Sequence, residues 1–351
     1  RIIDPVQAEK ILAENQADMV GMYRALCADP EFPSKTRDVR LDELRKCIGC
    51  CEGCHGPYYP SLPLACSVNT EAGREGDLSI VPAKVTKRVM VIGGGAAGLE
   101  AARVASERGH KVSLYEKEKV LAKELSIAAK APGREGWEDV IRYYTYQMKL
   151  LNVDVHLETT ATVEMVDQLN PDVVIVSTGA LPFVPEVLGF DSTNVVEAKR
   201  VLAEEVETGQ NVVVMAYENH LVALTTAAFL ADRGKRVEVL AESLHAAGMT
   251  DHYTLPAIYS MLANKDVVIT PLTSIREIKG NTVVVYNMFS GAERRIEGVD
   301  TVVYALDGRP NDVLYHSLQG RVKELYLIGQ ALAPRRLLDS IHDGARVGRQ
   351  L

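Results

Sequence analysis

The stretch Arg88-Val-Met-Val-Ile-Gly93-Gly-Gly95-Ala-Ala-Gly98 joins an apolar strand to a helix through a glycine-rich turn. Each of three glycines has a physical task in such a turn. Gly93 permits the tight reversal, Gly95 lets the backbone approach a pyrophosphate, and Gly98 allows the helix to pack closely on the strand. The stretch therefore predicts the first half of a nucleotide-binding β-α-β unit.

The residues that follow complete this unit. Apolar periodicity predicts a helix over 96–108, a stop at Gly109 and a second strand over 111–115. Glu116 follows that strand, where a carboxylate can accept the hydroxyls of a ribose. Because strand, helix, strand and acid stand in order, we expect a nucleotide with its phosphates at the helix N-terminus. The residues by themselves leave the identity of the nucleotide open.

A second copy of the unit lacks the glycines. It has a strand from Asn211, a helix that ends near Arg233 and a strand over 236–240. Ala216, Glu218 and Leu221 stand where the first unit has its glycines. A glutamate at the point of closest phosphate approach brings repulsion and bulk, so we expect the fold without a pyrophosphate cradle, and NAD(P)H binding here is disfavoured.

Two further strands set the predicted domain organisation of an α/β chain. One, over 172–180, follows the first unit, and another, over 324–330, returns near the end of the sequence. We therefore predict that residues 84–194 plus 319–351 form one FAD- or ADP-binding Rossmann-like domain. Residues 195–318 are then an inserted, degenerate NAD(P)-type domain.

Five of the six cysteines fall within twenty residues upstream of the fingerprint, in Cys47-Ile-Gly-Cys50-Cys51-Glu-Gly-Cys54 and at Cys66. Four thiolates can hold an iron–sulfur cluster or a structural zinc. The loop between Cys54 and Cys66 is too irregular for a zinc-finger strand or helix, and free cysteines seldom gather so closely, so a cluster is favoured over zinc or buried thiols. The spacing leaves Cys50 and Cys51 as alternatives for one ligand position.

The first forty residues do not make a core of their own. Asp4 and Pro5 predict the start of a helix, and residues 17–24 predict one short buried strand. One helix and one strand cannot bury each other's apolar faces. We expect this segment to complete a domain supplied by another part of the chain or by a partner subunit.

Composition excludes some functions. A net charge of −8 with one Trp and five Phe argues against nucleic acid as a partner. No apolar run approaches the ~20 residues that span a bilayer, so no membrane association is expected, and the clustered thiolates predict a reducing cytoplasm. The eight histidines share no spacing, so the sequence identifies no catalytic residue.

Several motifs together resemble one family: the flavin and iron–sulfur oxidoreductases built on an old yellow enzyme barrel, which include 2,4-dienoyl-CoA reductase and trimethylamine dehydrogenase. The resemblance rests on the fingerprint and on Arg24-Ala-Leu-Cys-Ala-Asp-Pro30, Cys47-Ile-Gly-Cys50, Cys66-Ser-Val-Asn69, Ala72-Gly-Arg-Glu75 and Ile328-Gly-Gln-Ala-Leu-Ala-Pro-Arg335. It implies that residues 1–40 are the end of an FMN-bearing (β/α)8 barrel and that residues 41–83 carry a [4Fe-4S] cluster. The remainder is then a pair of glutathione reductase-like domains.

The resemblance also implies site residues. It places the cluster on Cys47, Cys50, Cys54 and Cys66, and it brings Arg24 to the FMN phosphate. For the ADP or FAD nucleotide it implies Gly93, Gly95, Ala96, Ala97, Gly98, Glu116, Lys117, Gly179 and Gly329.

Within that family the inserted domain looks closer to the amine dehydrogenase and N-demethylase branch. The erased fingerprint and the segments 251–255 and 285–289 carry this likeness. In that branch electrons pass from FMN through the cluster to an electron-transferring flavoprotein, and ADP fills the FAD site. Lys123, Glu124 and Gln330 depart from the flavin-holding pattern, which favours ADP slightly over FAD.

The resemblance leaves two other functions open. One is an NAD(P)H-dependent enoate reductase, and the other is a structural subunit that binds ADP and a cluster without turnover. In each case we expect an oligomer in which a barrel-bearing polypeptide or subunit covers the first forty residues.

Overall fold

The structure is a computed structural model that describes residues 2–55 and 63–351. Arg1 and most of the loop predicted to be irregular between Cys54 and Cys66 lie outside these residues. The helices of the first part are α1 (Pro5–Ala13), α2 (Arg24–Ala28), α3 (Phe32–Arg37) and α4 (Glu75–Leu78). The predicted cap of α1 is confirmed, because Oδ1 of Asp4 accepts hydrogen bonds from the backbone N–H groups of Val6 and Gln7.

The predicted strand over 17–24 is wrong. Residues 17–23 form no strand, and α2 begins at Arg24. Met19, at the centre of the predicted strand, is 81% exposed. A strand needs a neighbour for its backbone N–H and C=O groups, and the described part of this chain places none beside these residues.

The fingerprint lies in a five-stranded parallel sheet. The elements of this part are β1 (Arg88–Ile92), α5 (Ala96–Glu107), β2 (Lys111–Tyr115), α6 (Lys123–Ala129), α7 (Glu138–Leu150), β3 (Asp154–His156), α8 (Val163–Leu169), β4 (Val173–Val176) and β5 (Ala180–Leu181). The strand order is 15-4-1-2-3, and its first member, Glu324–Leu327, comes from near the end of the chain. The strands β1 and β4 are apolar runs because helices cover both faces of a parallel sheet.

The second unit forms another five-stranded parallel sheet, of order 6-13-7-8-9. Its elements and those that follow are β6 (Val195–Glu197), α9 (Ala198–Leu202), β7 (Asn211–Ala216), α10 (Val222–Asp232), β8 (Arg236–Ala241), α11 (Thr254–Ala263), β9 (Val268–Thr270), β10 (Thr273–Lys279), β11 (Thr282–Asn287), β12 (Glu293–Glu297), β13 (Thr301–Ala305), β14 (Arg309–Pro310), α12 (Val313–Leu318), β15 (Glu324–Leu327) and α13 (Leu337–Gln350). A three-stranded antiparallel sheet of β10, β11 and β12 packs beside it, and β5 pairs with β14 between the two units.

The last helix, α13, packs directly on α5 of the fingerprint. Two glycines make this approach possible. A Cβ added at Gly344 would lie 2.2 Å from the carbonyl oxygen of Ala97, and one at Gly348 would lie 2.8 Å from Cβ of Val104. The N-termini of α5 and α13 therefore open onto the same space, at the carboxyl ends of β1, β4 and β15.

None of the helices within residues 2–55 and 63–351 combines the length and the apolar character needed to cross a membrane.

Candidate functional site

Two glycines of the fingerprint are required by the turn itself. Gly93 has a φ of +108°, and a Cβ there would lie 2.3 Å from the carbonyl oxygen of Ser177. A Cβ at Gly98 would lie 2.0 Å from the carbonyl oxygen of Gly93. The Ser177 hydroxyl donates to the carbonyl oxygens of both Ile92 and Gly93, each at 2.9 Å. These contacts fix the angle between β1 and α5, as the sequence predicted for a tight turn and close packing.

Gly95 has a different role from its neighbours. It is the N-cap of α5, and a Cβ there would meet nothing within 4 Å. No described side chain caps this helix, so the partial positive charge of its first turn faces open space. Ala96 and Ala97 continue the same small, open surface. This arrangement fits a phosphate group, which the backbone N–H groups of a helix N-terminus bind.

Glu116 lies beside this turn. Its Oε2 accepts a hydrogen bond from the N–H of Gly94 at 2.6 Å, and its Oε1 accepts one from the N–H of Glu118 at 2.8 Å. The carboxylate is thus held at the end of β2, next to the fingerprint, where the sequence expected a ribose partner. Lys117, the next residue, is exposed.

A cavity of about 460 Å³ extends from the N-terminus of α5 towards the cysteines and the second unit. Its walls include Ser177 and Gly179 at the end of β4, Gln330 before α13, and Cys50. From the second unit the lining residues include Leu221, Val222, Thr225 and Thr254. Gly329 is not at this surface: its N–H donates to Asp343 at 3.2 Å, and a Cβ there would lie 2.7 Å from Cβ of Ala97.

Two of the side chains that depart from the flavin pattern are held in ion pairs. Lys123 pairs with Glu118 at 2.9 Å, and Glu124 pairs with Lys199 from the second unit. Gln330, the third departure, lines the cavity and donates to the carbonyl oxygen of Arg335 at 3.5 Å. None of the three fills the space beyond the phosphate position.

The second unit places a carboxylate where the first leaves an open helix terminus. Oε1 of Glu218 accepts from the N–H of Ala223 at 3.1 Å, and Oε2 accepts from the N–H of His220. The side chain is 5% exposed, and burial raises its pKa to about 7. The carboxylate thus lies at the helix terminus where the pyrophosphate of a dinucleotide would bind, and the absence of NAD(P)H from this unit stays a prediction.

The five upstream cysteines are brought together by the fold. Cys47, Cys50 and Cys66 pack against the core of the first unit, and Cys51 and Cys54 are hydrogen-bonded to each other. Burial raises the pKa of Cys66, with a further contribution from the Cys47 thiol. Hydrogen bonding to Cys51 and burial raise the pKa of Cys54, and the charges of Cys50 and Cys66 add to this.

An iron–sulfur cluster on these thiols, which would supply the positive charge that their ionisation needs, stays a prediction. Within the described ranges no three His, Cys, Asp or Glu side chains converge as ligands of one metal ion.

Cys51 is held differently from the other four. Nη1 of Arg24 donates to its Sγ at 3.5 Å, and Thr254 of α11 is a second hydrogen-bond partner. The hydrogen bond with Cys54, together with Arg24, lowers the pKa of Cys51 to about 6. Three parts of the chain therefore meet at this sulfur. In this chain Arg24 contacts the cysteine segment, and its role at an FMN phosphate stays a prediction.

Two residues of the cavity wall were missed by the sequence reasoning. Oε2 of Glu52 accepts from the Ser67 hydroxyl at 3.1 Å and from the N–H of Leu338 at 2.9 Å, which ties the cysteine segment to the first turn of α13. Arg134 lines the cavity with its guanidinium 4.5 Å from the ring centre of Trp137. The turn signal Pro132-Gly133 before Arg134 and the single Trp nearby marked this loop in the sequence.

Comparison with known proteins places the chain in a family. Residues 87–325 match the pyridine nucleotide-disulphide oxidoreductase family. A metal reductase of Desulforamulus reducens is 34% identical over 97% of this chain and 55% of its own length. The N,N-dimethylglycine/sarcosine dehydrogenase of Chromohalobacter salexigens is 33% identical over 99% of this chain and 52% of its own length.

A solved structure is similar over the whole chain. It is a 2-naphthoyl-CoA reductase in complex with 2-naphthoyl-CoA, with a TM-score of 0.94 and 30% identity, covering 100% of this chain and 53% of that one. The chain thus spans about half the length of the curated relatives it matches. These findings confirm the α/β fold class and the resemblance drawn from the motifs. The chain belongs to the pyridine nucleotide-disulphide oxidoreductase family and corresponds to the C-terminal part of the amine dehydrogenase and enoate reductase flavoenzymes.

Proposed function

We propose that this chain is the electron-transfer part of a flavin-dependent amine dehydrogenase or N-demethylase. Electrons from FMN in a barrel pass through a [4Fe-4S] cluster on Cys47, Cys50, Cys54 and Cys66 and leave to an electron-transferring flavoprotein. One observation supports this direction of electron transfer: the carboxylate of Glu218 occupies the N-terminus of α10. A dinucleotide donor would have to displace it and would meet its charge. The similarity to a dimethylglycine/sarcosine dehydrogenase supports the same branch.

For the nucleotide of the first unit we propose FAD, although the sequence favoured ADP slightly. The cavity of about 460 Å³ continues beyond the phosphate position at Gly95, and Cys50 forms part of its wall. A ligand that ended at the pyrophosphate would leave this space unfilled. When bound, the flavin supplies two-electron chemistry beside a one-electron cluster.

The chain's own residues hold the ligand and shield it. The open N-terminus of α5 binds the phosphates, Glu116 receives the ribose, and Glu52 holds the cysteine segment against α13. The apolar wall formed by Leu125, Ile127, Trp137 and Leu337 excludes water from the space between them.

An NAD(P)H-dependent enoate reductase is the second candidate, and the likeness to 2-naphthoyl-CoA reductase is the observation in its favour. The third candidate is a non-catalytic structural subunit. Anaerobic mixing of the flavin-loaded protein with NADH, followed at the flavin absorption, separates the first two. We expect no reduction within minutes by NADH but reduction by a methylated amine when the barrel is present. Rapid reduction by NADH would overturn the amine dehydrogenase proposal, and no reduction by either donor would support the structural subunit.

Glu218→Ser provides a matched variant for this test. It removes the carboxylate and leaves a small hydroxyl at the helix terminus, so NADH affinity should rise if the carboxylate is the obstacle. Glu218→Gln keeps the bulk without the charge and should gain less.

The cluster ligands are tested by iron and sulfide content. Cys47→Ser, Cys54→Ser and Cys66→Ser should each abolish cluster assembly, because each removes one of four thiolates. Cys51→Ser should retain about four irons, since Arg24 and Thr254 already engage that sulfur. If Cys51→Ser loses the cluster while Cys50→Ser keeps it, the choice of Cys50 is wrong.

A further inference from the structure

Arg134 is one of the positively charged residues that line the cavity. Among residues 2–55 and 63–351 no acid is hydrogen-bonded to its side chain. The other lining cations are each paired: Lys199 with Glu124, Arg335 with Asp343, and Arg336 with Asp339. The guanidinium of Arg134 contacts the face of Trp137. A guanidinium carries five N–H donors and cannot lose its charge in a protein, so a site that holds one without acceptors is suited to an anionic group.

The two acids whose charges act on Arg134, Glu52 and Glu218, form their hydrogen bonds with other groups. Glu218 accepts from the backbone N–H groups of His220 and of Ala223 in α10, and Glu52 accepts from Leu338 and Ser67. Both contribute attraction at a distance, and burial lowers the pKa of Arg134 despite them. Arg134 is half-buried, and within the described residues its charge is compensated only at a distance, on a cavity wall that also includes Cys50.

The position of Arg134 limits what it can meet. It precedes α7 in the loop that closes the cavity, whereas the phosphate position lies at the N-terminus of α5 and the ribose carboxylate at the end of β2. Helix α5 already supplies the partial positive charge that phosphates need. The charge of Arg134 is thus available to another part of a ligand that fills the cavity.

We infer that Arg134 stabilises the negative charge that a flavin ring acquires in the cavity when it is reduced, and so raises the reduction potential of that flavin. This inference rests on the proposed FAD site. A positive charge near the ring is one of the ways in which a protein tunes flavin electronics. Because Cys50 lines the same cavity, a higher flavin potential would favour electron transfer to the flavin from a cluster held at that residue.

Sulfite provides a test that needs no turnover. Its lone pair adds to the oxidised flavin ring, and the adduct carries the negative charge that reduction would also introduce. The purified chain is loaded with FAD and titrated with sulfite at the flavin absorption, in wild type, Arg134→Gln and Arg134→Lys. We expect Arg134→Gln to weaken sulfite binding about tenfold or more, and Arg134→Lys to retain most of the affinity, because it keeps the charge.

Lys199→Gln is the matched control, since Lys199 also lines the cavity but is already paired with Glu124. It should change sulfite affinity by less than about twofold, because Lys199 and Glu124 are both exposed and solvent screens their charges. Equal sulfite affinity in wild type and Arg134→Gln, with FAD bound to both, would overturn the role of Arg134 and leave the FAD proposal intact. Failure of the wild-type chain to bind FAD would instead overturn the FAD proposal and this inference with it.

Discussion

At the scale of single residues, the three glycines of the fingerprint have different roles. Gly93 and Gly98 are fixed by contacts inside the protein, whereas Gly95 faces open space at the helix terminus. A sequence motif treats the three as equivalent members of one pattern. The structure separates those needed for the fold from the one needed for a ligand.

This difference gives a paired prediction. Gly95→Glu should leave the free energy of unfolding of the ligand-free chain nearly unchanged but abolish nucleotide binding, because it puts charge and bulk at the phosphate position, as in the second unit. Gly98→Ala should instead destabilise the fold by about 1–3 kcal/mol or more, since its Cβ would lie 2.0 Å from a carbonyl oxygen. Urea unfolding and nucleotide release after denaturation measure the two effects. Retention of nucleotide by Gly95→Glu would contradict the site.

Glu218 gives a pH-dependent prediction. Burial raises its folded pKa to about 7, from 4.5 in the unfolded chain. Between these values the unfolded chain has released the proton and the folded chain still binds it, so stability contributed by the neutral form is present at low pH and is lost as pH rises through 7. The loss amounts to roughly 3 kcal/mol.

Glu218→Gln cannot ionise and should lack this decline. Urea denaturation of both proteins at pH 5 and pH 8 measures it, and the variant should gain on the wild type as pH rises. The lost hydrogen bond by itself would lower the free energy of unfolding of the variant by the same amount at both pH values. A difference between the two proteins that does not change with pH would therefore count against a buried, titrating carboxyl at this position.

At the scale of elements, the packing of α13 on α5 builds the site. The two helices approach closely through Gly344 and Gly348, and their N-terminal ends share the cavity wall. Glu52 accepts from the second N–H of α13, so the cysteine segment also depends on where this helix begins. A shift of α13 would thus move phosphate, flavin and cysteine positions together.

Gly344→Ala tests this dependence. The added methyl would lie 2.2 Å from the carbonyl oxygen of Ala97 and 2.9 Å from the N of Ala101, so the helices must separate. We expect a loss of about 2–3 kcal/mol in the free energy of unfolding and weaker nucleotide retention. Gly76→Ala is the control, because a Cβ there meets nothing within 4 Å. Thermal unfolding and nucleotide content measure the two effects. If Gly344→Ala matched the wild type in both, the close packing of α13 on α5 would not be needed for the site.

At the scale of the whole molecule, buried charges connect segments distant in the chain. Glu100 of α5 accepts two hydrogen bonds from Arg103 and one from the hydroxyl of Tyr144 on α7. Arg45, two residues before Cys47, lies over the ring of Tyr143 at 5.3 Å and donates to Asn69. The cysteine segment is therefore fixed on the first unit by a polar network and by apolar packing.

Several apolar side chains of the first forty residues are exposed, although Ala25 and Phe32 are buried. Val6 is 68% exposed, Met19 81% and Val39 78%. The curated relatives are about twice as long as this chain, and a barrel that continues from this segment would cover these side chains. We expect Val6→Asp to weaken association with a barrel-bearing polypeptide, whereas Val313→Asp, equally exposed but on α12, should not.

Size-exclusion chromatography with mass analysis of material from the native host measures this association. A stable, soluble monomer of this chain, free of FMN and of any barrel partner, would defeat the proposal.

The sequence by itself determined the two β-α-β units and which of them keeps an open glycine turn at its helix terminus. Local pattern sufficed because strand, turn and helix are neighbours in the chain, and Glu218 could be aligned with Gly95. It also singled out the cysteine segment by spacing. It failed at residues 17–24, where apolar composition predicted a strand, because a strand exists only when a neighbour pairs with it.

Only the tertiary structure decided which residues line the cavity together. The cavity wall combines residues from the cysteine segment, the loop at Arg134, the second unit and the start of α13. No local pattern encodes that Arg134 has no hydrogen-bonded acid within the described ranges while Lys199 is paired, since the acids near each come from distant parts of the chain. The same holds for Cys51, whose partners Arg24 and Thr254 lie on opposite sides of it in sequence. Charge compensation and burial depend on long-range packing, and for that reason they appear only in the folded chain.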